Sequence, residues 1–247
     1  MYNPYSLDGK TILITGASSG IGRATAIECS KLGAKCIITA RSESRLQDTF
    51  ESLEGNGHKQ IIADLTKNDN LIQLVNDVPM LDGLVNNAGI ALTKLISFIK
   101  EDDLNNMFSV NTFAPVLLTK ELLKKKKINK GGSIVITSSL ASMRETLGNA
   151  VYGMTKAAVE SFSRFCALEF SNKQIRVNSV HPGMVNTEMV DELILSTEDR
   201  ENDKKKYPLQ RYGKPQEIAW AIIYLLSDAS SWMTGSHIVI DGGFHLV

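Results

Sequence analysis

A tyrosine and a lysine at positions i and i+4 have the clearest potential for chemistry. Tyr152 and Lys156 lie in YGMTKAAVESFSRFCALEF, whose spacing of small, apolar and polar residues predicts a helix. Such positions share one helical face, so the ammonium would lie beside the phenol. A neighbouring positive charge favours the phenolate, and we expect the pKa of Tyr152 to fall from about 10 towards neutral pH. Tyr152 could then pass a proton to a carbonyl oxygen or take one from an alcohol.

A run of hydroxyl residues precedes this helix. The segment GGSIVITSSLAS predicts a buried strand that ends in serines, and Ser139 stands at that end. A loop would bring the strand end close to the start of the Tyr152 helix. Because Tyr-x-x-x-Lys pairs are common by chance, their meaning depends on the elements that position them.

Strands and helices alternate along the rest of the chain. Strands are predicted at 11–15, 35–40, 60–64, 81–89, 175–183 and 237–243, and within SIVITS. Further helices are predicted after the first strand, at 42–53, 68–77 and 217–228, and as one long helix over 101–127. This alternation predicts a parallel sheet covered by helices on both faces. No linker, repeat or low-complexity block interrupts it, so we predict one domain over 1–247.

The first strand runs into a glycine-rich turn, TGASSGIG, at 15–22. Glycines allow a tight turn and close approach of the backbone to a pyrophosphate, and the helix N-terminus adds free N–H groups and a positive dipole. The strand–turn–helix setting supports this interpretation over a simple turn and cap. We predict cofactor contacts from the following residues: Gly16, Ser18, Ser19, Gly20, Ile21 and Gly22.

The end of the second strand indicates which dinucleotide is bound. Proteins that bind NAD often carry a carboxylate there, which bonds the ribose 2′-hydroxyl. This sequence has Ala40-Arg41-Ser42 instead, with no acid. Because a guanidinium suits a phosphate by charge and geometry, we predict NADP(H), with Arg41, Ser42 and Ser18 at the 2′-phosphate. The alternative is that Arg41 is a surface residue that caps the next helix.

Composition disfavours several other classes of function. Lys+Arg and Asp+Glu are both 27, so net charge suggests neither nucleic acid nor a membrane surface as a partner. Cys29, Cys36 and Cys166 lie in apolar or helical settings and are predicted to be small buried hydrophobes. The four histidines lack metal-ligand spacing, so no metal site is predicted. With neither a signal-peptide pattern nor a membrane-spanning apolar run, we expect a cytoplasmic protein.

Several motifs in order identify a family. They are TGASSGIG (15–22), Asp64, NNAG (86–89), Asn111 in SVNTF, Ser139, YGMTK (152–156) and HPGMVNT (181–187). Over nearly its whole length the chain resembles single-domain short-chain dehydrogenases/reductases. The resemblance implies a Rossmann-type, doubly wound parallel sheet of about seven strands in a three-layer sandwich. It also implies a nicotinamide cofactor and a Ser–Tyr–Lys centre supported by an asparagine.

The resemblance implies a role for each residue of the centre. Tyr152 would transfer the proton, while Lys156 would lower its pKa and bond the nicotinamide ribose. Ser139 would hold the substrate carbonyl, and Asn111 would anchor a water that relays protons to Lys156. Taken singly, Ser139 could instead be a turn former and Asn111 a helix cap.

At the adenosine end, the resemblance implies contacts from the ends of two strands. Asp64 would meet the adenine, and Leu65 beside it is also predicted to bind the cofactor. The residues Asn87, Ala88 and Gly89 would line the adenosine ribose.

At the nicotinamide end, the implied contacts follow the strand 175–183. Pro182 and Gly183 would turn the chain at the nicotinamide. Val185 would offer backbone groups to the carboxamide, and Thr187 would add a hydroxyl. On its own, Thr187 could be a cap of the next helix.

The segment 188–211, here called the lid segment, is strongly charged. Its position after the nicotinamide strand predicts a lid over the substrate, while the alternative is a solvated insertion that touches no ligand. Substrate choice is expected in this segment and in the loop 143–151, where Arg144 is the candidate anion contact.

Two substrate classes remain open. The ending PLQRYGKPQEIAWAIIYLLSD…TGSHIVIDGGF resembles bacterial 3-oxoacyl-acyl carrier protein reductases, which meet an acidic carrier with basic residues near the active-site mouth. The lysine run 124–127 and Lys173 would serve this purpose, although such a run also complements a helix dipole. The Ala40-Arg41 strand end and the short connection 64–86 favour a small-molecule reductase of diketones or ketoses.

Reaction direction and assembly are also implied. NADPH normally drives reduction, which predicts conversion of a carbonyl to a secondary alcohol. Similar proteins form homodimers or homotetramers. A non-catalytic nucleotide-binding regulator is the remote alternative, since such relatives usually lose the tyrosine or the lysine.

Overall fold

A computed structural model of the protein describes residues 2–193 and 196–247. Its centre is a seven-stranded parallel sheet in the order β3-β2-β1-β4-β5-β6-β7. The direction of winding reverses between β1 and β4, which opens a crevice at the carboxyl ends of these strands. The strands are β1 Thr11–Thr15, β2 Lys35–Ala40, β3 Lys59–Ile62, β4 Leu81–Asn86, β5 Ile128–Thr137, β6 Arg176–Pro182 and β7 His237–Ile240.

Helices cover both faces of the sheet. They are α1 Gly20–Lys31, α2 Glu43–Glu51, α3 Asn68–Asp77, α4 Glu101–Phe108, α5 Ala114–Lys124, α6 Ala150–Glu169, α7 Glu188–Leu193, α8 Thr197–Lys204 and α9 Pro215–Leu226. Alternate residues of β1 enter different cores: Ile12 and Ile14 pack with α1, α2 and α9, while Leu13 packs with α3, α5 and α6. The predicted doubly wound, three-layer α/β fold is confirmed.

Three strands end two or three residues earlier than the sequence predicted. β3 ends at Ile62 rather than 64, and β4 ends at Asn86 rather than 89, because the residues beyond them turn to line a cleft. β7 ends at Ile240 rather than 243. Gly242 and Gly243 have φ values of +62° and +86°, a conformation incompatible with an extended strand.

The predicted helix over 101–127 is not one regular helix. Five residues, Ser109–Phe113, form a π-helical turn between α4 and α5. Its centre is Asn111, whose side chain bonds the backbone of Ile90 rather than facing solvent. Such turns within helices often occur at functional sites.

The lid segment contains two helices, α7 and α8, although the sequence analysis described it only as strongly charged. Residues 194 and 195 of that stretch lie outside the described residues. Ser196 caps the N-terminus of α8, since its hydroxyl accepts a hydrogen bond from Asp199 N at 3.0 Å.

The three cysteines are free and buried, as predicted. Burial raises the pKa of Cys36 and of Cys166 to about 12, so both are thiols at neutral pH. In the described part of the chain, no helix combines the length and apolar character needed to cross a bilayer.

Candidate active site

A cleft of about 980 Å³ runs along the carboxyl ends of the strands. Two of the predicted site residues, Gly22 and Asn111, lie behind its wall. All others line it: Gly16, Ser18, Ser19, Gly20, Ile21, Arg41, Ser42, Asp64, Leu65, Asn87, Ala88, Gly89, Ser139, Tyr152, Lys156, Pro182, Gly183, Val185 and Thr187.

The glycine turn needs its glycines for space. A Cβ on Gly16 (φ +65°) would lie 2.7 Å from Ala88 Cα, and one on Gly22 would lie 2.2 Å from the Gly16 carbonyl oxygen. Thr15 ties this turn to β4, because its Oγ1 accepts from Asn87 N and Ala88 N, both at 3.0 Å. The motif alone indicates no role for Thr15, but its position at the end of the central strand is a signal for one.

The N-terminus of α1 reaches the cleft at Ser19 and Gly20. Ser19 is the N-cap residue, yet its side chain forms no capping hydrogen bond. The first N–H groups and the positive end of the helix dipole therefore suit an anion such as a pyrophosphate. The cradle formed by Gly16 and Gly22 fits the close approach that a dinucleotide requires.

Basic and acidic side chains mark the far end of the cleft. Within residues 2–193 and 196–247, Arg41 forms no ion pair. Burial acts to raise the pKa of Asp64, but hydrogen bonds from Thr66 and the charge of Arg41 outweigh burial and lower that pKa. Arg45, which the sequence analysis missed, also lines the cleft and bonds Glu188 across it at 2.8 Å. Its place in the first turn of the helix that follows Arg41 and Ser42 was the signal that could have revealed it.

At the other end, α6 presents Tyr152 and Lys156 and β5 leads to Ser139. Lys156 is 5% exposed, and its Nζ donates to the Thr137 carbonyl at 2.9 Å. The same nitrogen lies 5.7 Å from the centre of the Tyr152 ring. Burial lowers the pKa of Lys156 to about 8, so the ammonium persists at neutral pH but titrates just above it.

The expected fall in the pKa of Tyr152 is wrong for this structure. Burial raises the pKa of the phenol above its usual value, and a hydrogen bond with Ser139 opposes this only in part. Burial is the largest cause of the shift, and the Lys156 ammonium, which donates to the Thr137 carbonyl, does not reverse it. Tyr152 is therefore a neutral phenol at neutral pH, the form that donates a proton.

Asn111 is a structural link rather than a helix cap. Its Oδ1 accepts from Ile90 N at 2.8 Å, and its Nδ2 donates to Ile90 O at 2.9 Å and Thr155 Oγ1 at 3.2 Å. A Cβ on Gly89 would lie 3.2 Å from Asn111 Oδ1 and 3.4 Å from Lys156 Nζ. Both polar atoms thus face the same point, while the water relay itself stays a prediction.

The predicted nicotinamide contacts follow β6. Gly183 N donates to Ile240 O at 3.0 Å, and a Cβ on Gly183 would lie 2.9 Å from Asp241 Cβ. Val185 pairs with Gly213 in an isolated bridge. Thr187 immediately precedes α7, and its Cγ2 lies 3.1 Å from the Cβ position of Gly20. The residue just before the lid segment therefore reaches the glycine turn.

Aromatic residues line the substrate mouth. Arg144 donates to the carbonyls of Phe244 and Val247, and its guanidinium lies 4.0 Å above the Phe244 ring. Phe244 stacks on Tyr207 at 4.6 Å between ring centres. Arg144 is thus engaged by the main chain, which corrects its interpretation as an available anion contact.

The lysines predicted to lie near the mouth of the cleft are at the opposite edge of the sheet. Lys127 O accepts from Leu81 N at the beginning of β4, and Lys173 lies in the turn before β6. Both places are at the amino ends of the strands, whereas the cleft is at the carboxyl ends. Placement of 124–127 and Lys173 beside the cleft of their own chain is therefore wrong.

The fold and the cleft are those of an α/β oxidoreductase, and sequence comparison gives the family. The profile of the enoyl-(acyl carrier protein) reductase family matches residues 16–245. One relative, 3-oxoacyl-[acyl-carrier-protein] reductase FabG from Rickettsia felis, is 35% identical over 98% of this chain and 99% of its own. L-xylulose reductase from Caenorhabditis elegans is 34% identical over 97% of both chains.

Solved structures agree with this placement. A short-chain dehydrogenase/reductase family protein has a TM-score of 0.87 at 35% identity, covering 98% of this chain and 100% of that one. A short-chain type dehydrogenase/reductase from Mycobacterium marinum has a TM-score of 0.88 at 33% identity, covering 98% and 97%. The chain belongs to the short-chain dehydrogenase/reductase family of oxidoreductases.

Proposed function

We propose that the protein is an NADPH-dependent reductase that converts a carbonyl compound to a secondary alcohol. One observation carries the proposal: Ser139, Tyr152 and Lys156 share a single cleft with the glycine turn and Arg41. The bound nicotinamide would supply the hydride. The glycine turn would hold its pyrophosphate, and Arg41 and Ser42 its 2′-phosphate.

The protein's own residues would handle the proton. Tyr152 is protonated at neutral pH because burial raises its pKa, so it can donate its phenolic proton to the carbonyl oxygen. Ser139, hydrogen-bonded to Tyr152, would hold the same oxygen. The buried Lys156 ammonium would stabilise the phenolate left on Tyr152.

The choice of NADPH over NADH can be measured directly. We expect Arg41→Ala to weaken NADPH binding by about 10- to 100-fold, the effect of losing charged hydrogen bonds, and to leave NADH binding unchanged. Arg23→Ala on α1, outside the cleft lining, is the matched control. Equal affinities of the parent protein for both cofactors would refute the assignment.

For the substrate, we propose a 3-oxoacyl thioester or a similar ketone. Its support is the resemblance to relatives named 3-oxoacyl-[acyl-carrier-protein] reductase over nearly the whole chain. Docking of an acidic acyl carrier protein through 124–127 and Lys173 stays a prediction, to be tested by reversing those charges.

A small-molecule ketone is the second candidate, supported by the charges at the mouth. Arg45 pairs with Glu188, Lys206 with Asp203 at 2.9 Å, and main-chain carbonyls engage Arg144. Arg45 and Lys206 are therefore paired with carboxylates, and hydrogen-bond donors of Arg144 are already occupied, which disfavours an acidic carrier at this mouth. The relative named L-xylulose reductase supports the same candidate.

NADPH oxidation on a substrate panel separates the two candidates. Acetoacetyl-carrier thioester would be compared with diacetyl and ketopentoses at one pH. Turnover of the thioester alone, reduced by Lys-to-Glu changes over 124–127, supports the first candidate. Turnover of diacetyl or ketopentoses alone supports the second. No turnover together with tight NADPH binding would favour a nucleotide-binding regulator.

We further propose a cytoplasmic homotetramer or homodimer. Free, buried cysteines suit a reducing compartment. Apolar side chains stay exposed at the π-turn and on α5 and α6, namely Phe113, Leu117, Phe165 and Leu168. A second copy packed on these helices would cover them. Sedimentation that shows only a 27.1 kDa monomer at micromolar concentration would contradict the assembly.

A further inference from the structure

A fully buried histidine lies behind the turn that carries Ser139. His181 is 0% exposed, on β6. Its Nδ1 lies 3.2 Å from Ser142 Oγ, and its Nε2 lies 2.9 Å from Ser179 Oγ. Ser142 Oγ is also 2.8 Å from the Ser139 carbonyl oxygen and 3.2 Å from Glu160 Oε2. Three groups thus surround one hydroxyl that lies just behind the wall of the active site.

Ser142 has a single hydroxyl proton, so it can donate to only one of these groups. The shortest contact is to the Ser139 carbonyl, which can only accept. If the proton goes there, His181 must carry its own proton on Nδ1 and donate it to Ser142 Oγ. Its Nε2 then accepts from the Ser179 hydroxyl, and every contact of the ring is satisfied.

The opposite tautomer undoes this arrangement. With the proton on Nε2, His181 would donate to Ser179, and Ser142 would donate to Nδ1. The Ser139 carbonyl would then keep only the backbone N–H of Ser142, at 3.1 Å. The tautomer of His181 therefore decides whether the Ser142 side chain supports Ser139.

Charged groups around His181 fit a neutral ring. Burial lowers the pKa of His181 to about 4, assisted by His237, Lys156 and Arg164 and opposed by Glu160. Glu160 competes for the Ser142 proton, but Arg164 Nη1 lies 2.5 Å from its Oε1 and reduces that pull. The Nδ1–H tautomer remains the one that satisfies the shortest contact.

The same turn fixes the catalytic hydroxyl. Ser139 Oγ accepts from Ala141 N at 3.2 Å, which leaves its own proton for Tyr152 or a substrate oxygen. We propose that His181, acting through Ser142, is a positioning residue that holds this turn and so aims the Ser139 hydroxyl at Tyr152. The inference rests on the proposed reductase function, in which Ser139 holds the substrate carbonyl.

A double-mutant cycle tests whether Ser142 acts through Ser139. Ser142→Ala should lower kcat about tenfold, the effect of about 1.4 kcal/mol, while KM and the NADPH Kd change less than about twofold. In a Ser139→Ala background, the same substitution should cost nothing further in residual turnover. An equal loss in both backgrounds would show a general structural effect and overturn the proposal.

Two histidine variants sharpen the result. His181→Asn keeps an amide N–H near the position of Nδ1 and should retain most of kcat; a loss as large as that of Ser142→Ala would contradict the proposal. His237→Asn is the matched control, because its ring packs 5.0 Å from that of His181 and makes no contact with Ser142 in the described structure. It should leave kcat unchanged.

A spectroscopic measurement separates this proposal from the proposed function. Long-range ¹H–¹⁵N spectra of the parent protein, assigned through His181→Asn, should show the Nδ1–H tautomer of a neutral ring. The Nε2–H form would overturn the positioning role even in an active enzyme. An inactive parent protein would instead refute the reductase function.

Discussion

The two sides of the cleft are built differently. At the catalytic floor, Lys156 and Asn111 are almost fully buried, and main-chain groups hold their polar atoms. At the lid, pairs of exposed side chains close the gap: Arg45 and Glu188 are 54% and 60% exposed. Buried groups fixed by the main chain have one geometry, whereas exposed ion pairs contribute only about 0–1 kcal/mol and break easily.

This difference separates the residues that would carry out the reaction from those that would admit cofactor and substrate. The floor is prepared before any ligand arrives, so its charges need little reorganisation during reaction. The lid can exchange partners at low cost, which suits an element that must open for cofactor and substrate. Substitutions at the floor should therefore have large effects on turnover, and those at the lid small ones.

The largest effect is expected at Tyr152. Tyr152→Phe removes the proton donor and should lower turnover by about 10²- to 10⁴-fold, with the NADPH Kd unchanged. Tyr224→Phe on α9, which packs on Tyr5 with ring centres 6.3 Å apart, is the control and should be neutral. Steady-state kinetics and fluorescence titration give both values. Activity retained by Tyr152→Phe would exclude the mechanism.

Lys156→Met should abolish turnover and yet stabilise the protein measured without cofactor. The pKa of Lys156 is lowered from 10.5 to about 8, so keeping the charge buried at pH 7 costs folding free energy. Removing it should raise the free energy of unfolding by about 1–3 kcal/mol, at about 1.4 kcal/mol per pKa unit. Lys127→Met is the control, a half-exposed lysine that donates to Val78 O at 2.6 Å.

The sign of the contribution of Lys156 to the free energy of unfolding can be checked by varying the pH. Between about pH 8 and 10.5 the folded state binds fewer protons at Lys156 than the unfolded state, so this residue makes stability rise with pH. Below pH 8 its contribution is constant. Urea unfolding at several pH values should show this rise in the parent and a smaller one in Lys156→Met; identical profiles would contradict the burial argument.

Gly16→Ala tests the glycine turn, at the end of the cleft proposed to bind the cofactor. Both Gly16 and Gly9 have positive φ, +65° and +74°, so alanine at either position costs about 1 kcal/mol of backbone strain. At Gly16 the Cβ also meets Ala88 Cα, whereas at Gly9 it meets nothing within 4 Å. We expect more than about tenfold weaker NADPH binding for Gly16→Ala alone, roughly 1.4 kcal/mol. Equal affinities would argue against a dinucleotide at this turn.

The pH dependence of activity should follow the ionisation of Tyr152 and Lys156. Reduction needs protonated Tyr152, whose pKa is raised, and charged Lys156, so its kcat should fall above about pH 8. Oxidation of the product alcohol needs the phenolate and should increase with pH in the alkaline range. Profiles in both directions provide the measurement, and an oxidation optimum below neutral pH would contradict the assignment.

The smallest effect is expected at the lid. Glu188→Gln breaks an exposed ion pair and should change the free energy of unfolding by less than about 0.5 kcal/mol. Glu43→Gln, an exposed acid on α2, is the control for lost surface charge. Thermal unfolding of the three proteins suffices. A loss of more than about 2 kcal/mol would show that the lid is as tightly built as the floor and would remove the contrast.

The sequence predicted the layers, the approximate positions of all seven strands and, apart from Gly22 and Asn111, a set of residues that line the cleft, because these depend on local periodicity and on motifs at strand ends. It misjudged features that depend on distant parts of the chain. Asn111, at the centre of the π-turn, bonds Ile90 in another part of the chain, and no local pattern predicts this contact. The wrong placement of lysines 124–127 could have been avoided from the sequence. A lysine run just before a parallel strand lies at the amino end of that strand, opposite a cleft at the carboxyl ends.

What the sequence alone determined is which residues can do chemistry and along which elements they stand, since helical spacing puts Tyr152 and Lys156 on one face. What only the tertiary structure decided is how those groups ionise and what orients them. The Thr137 carbonyl accepts a hydrogen bond from Lys156, burial raises the pKa of Tyr152, and His181 reaches the Ser139 turn from another strand. Burial and contacts between distant strands set these properties, and neither exists until the chain has folded.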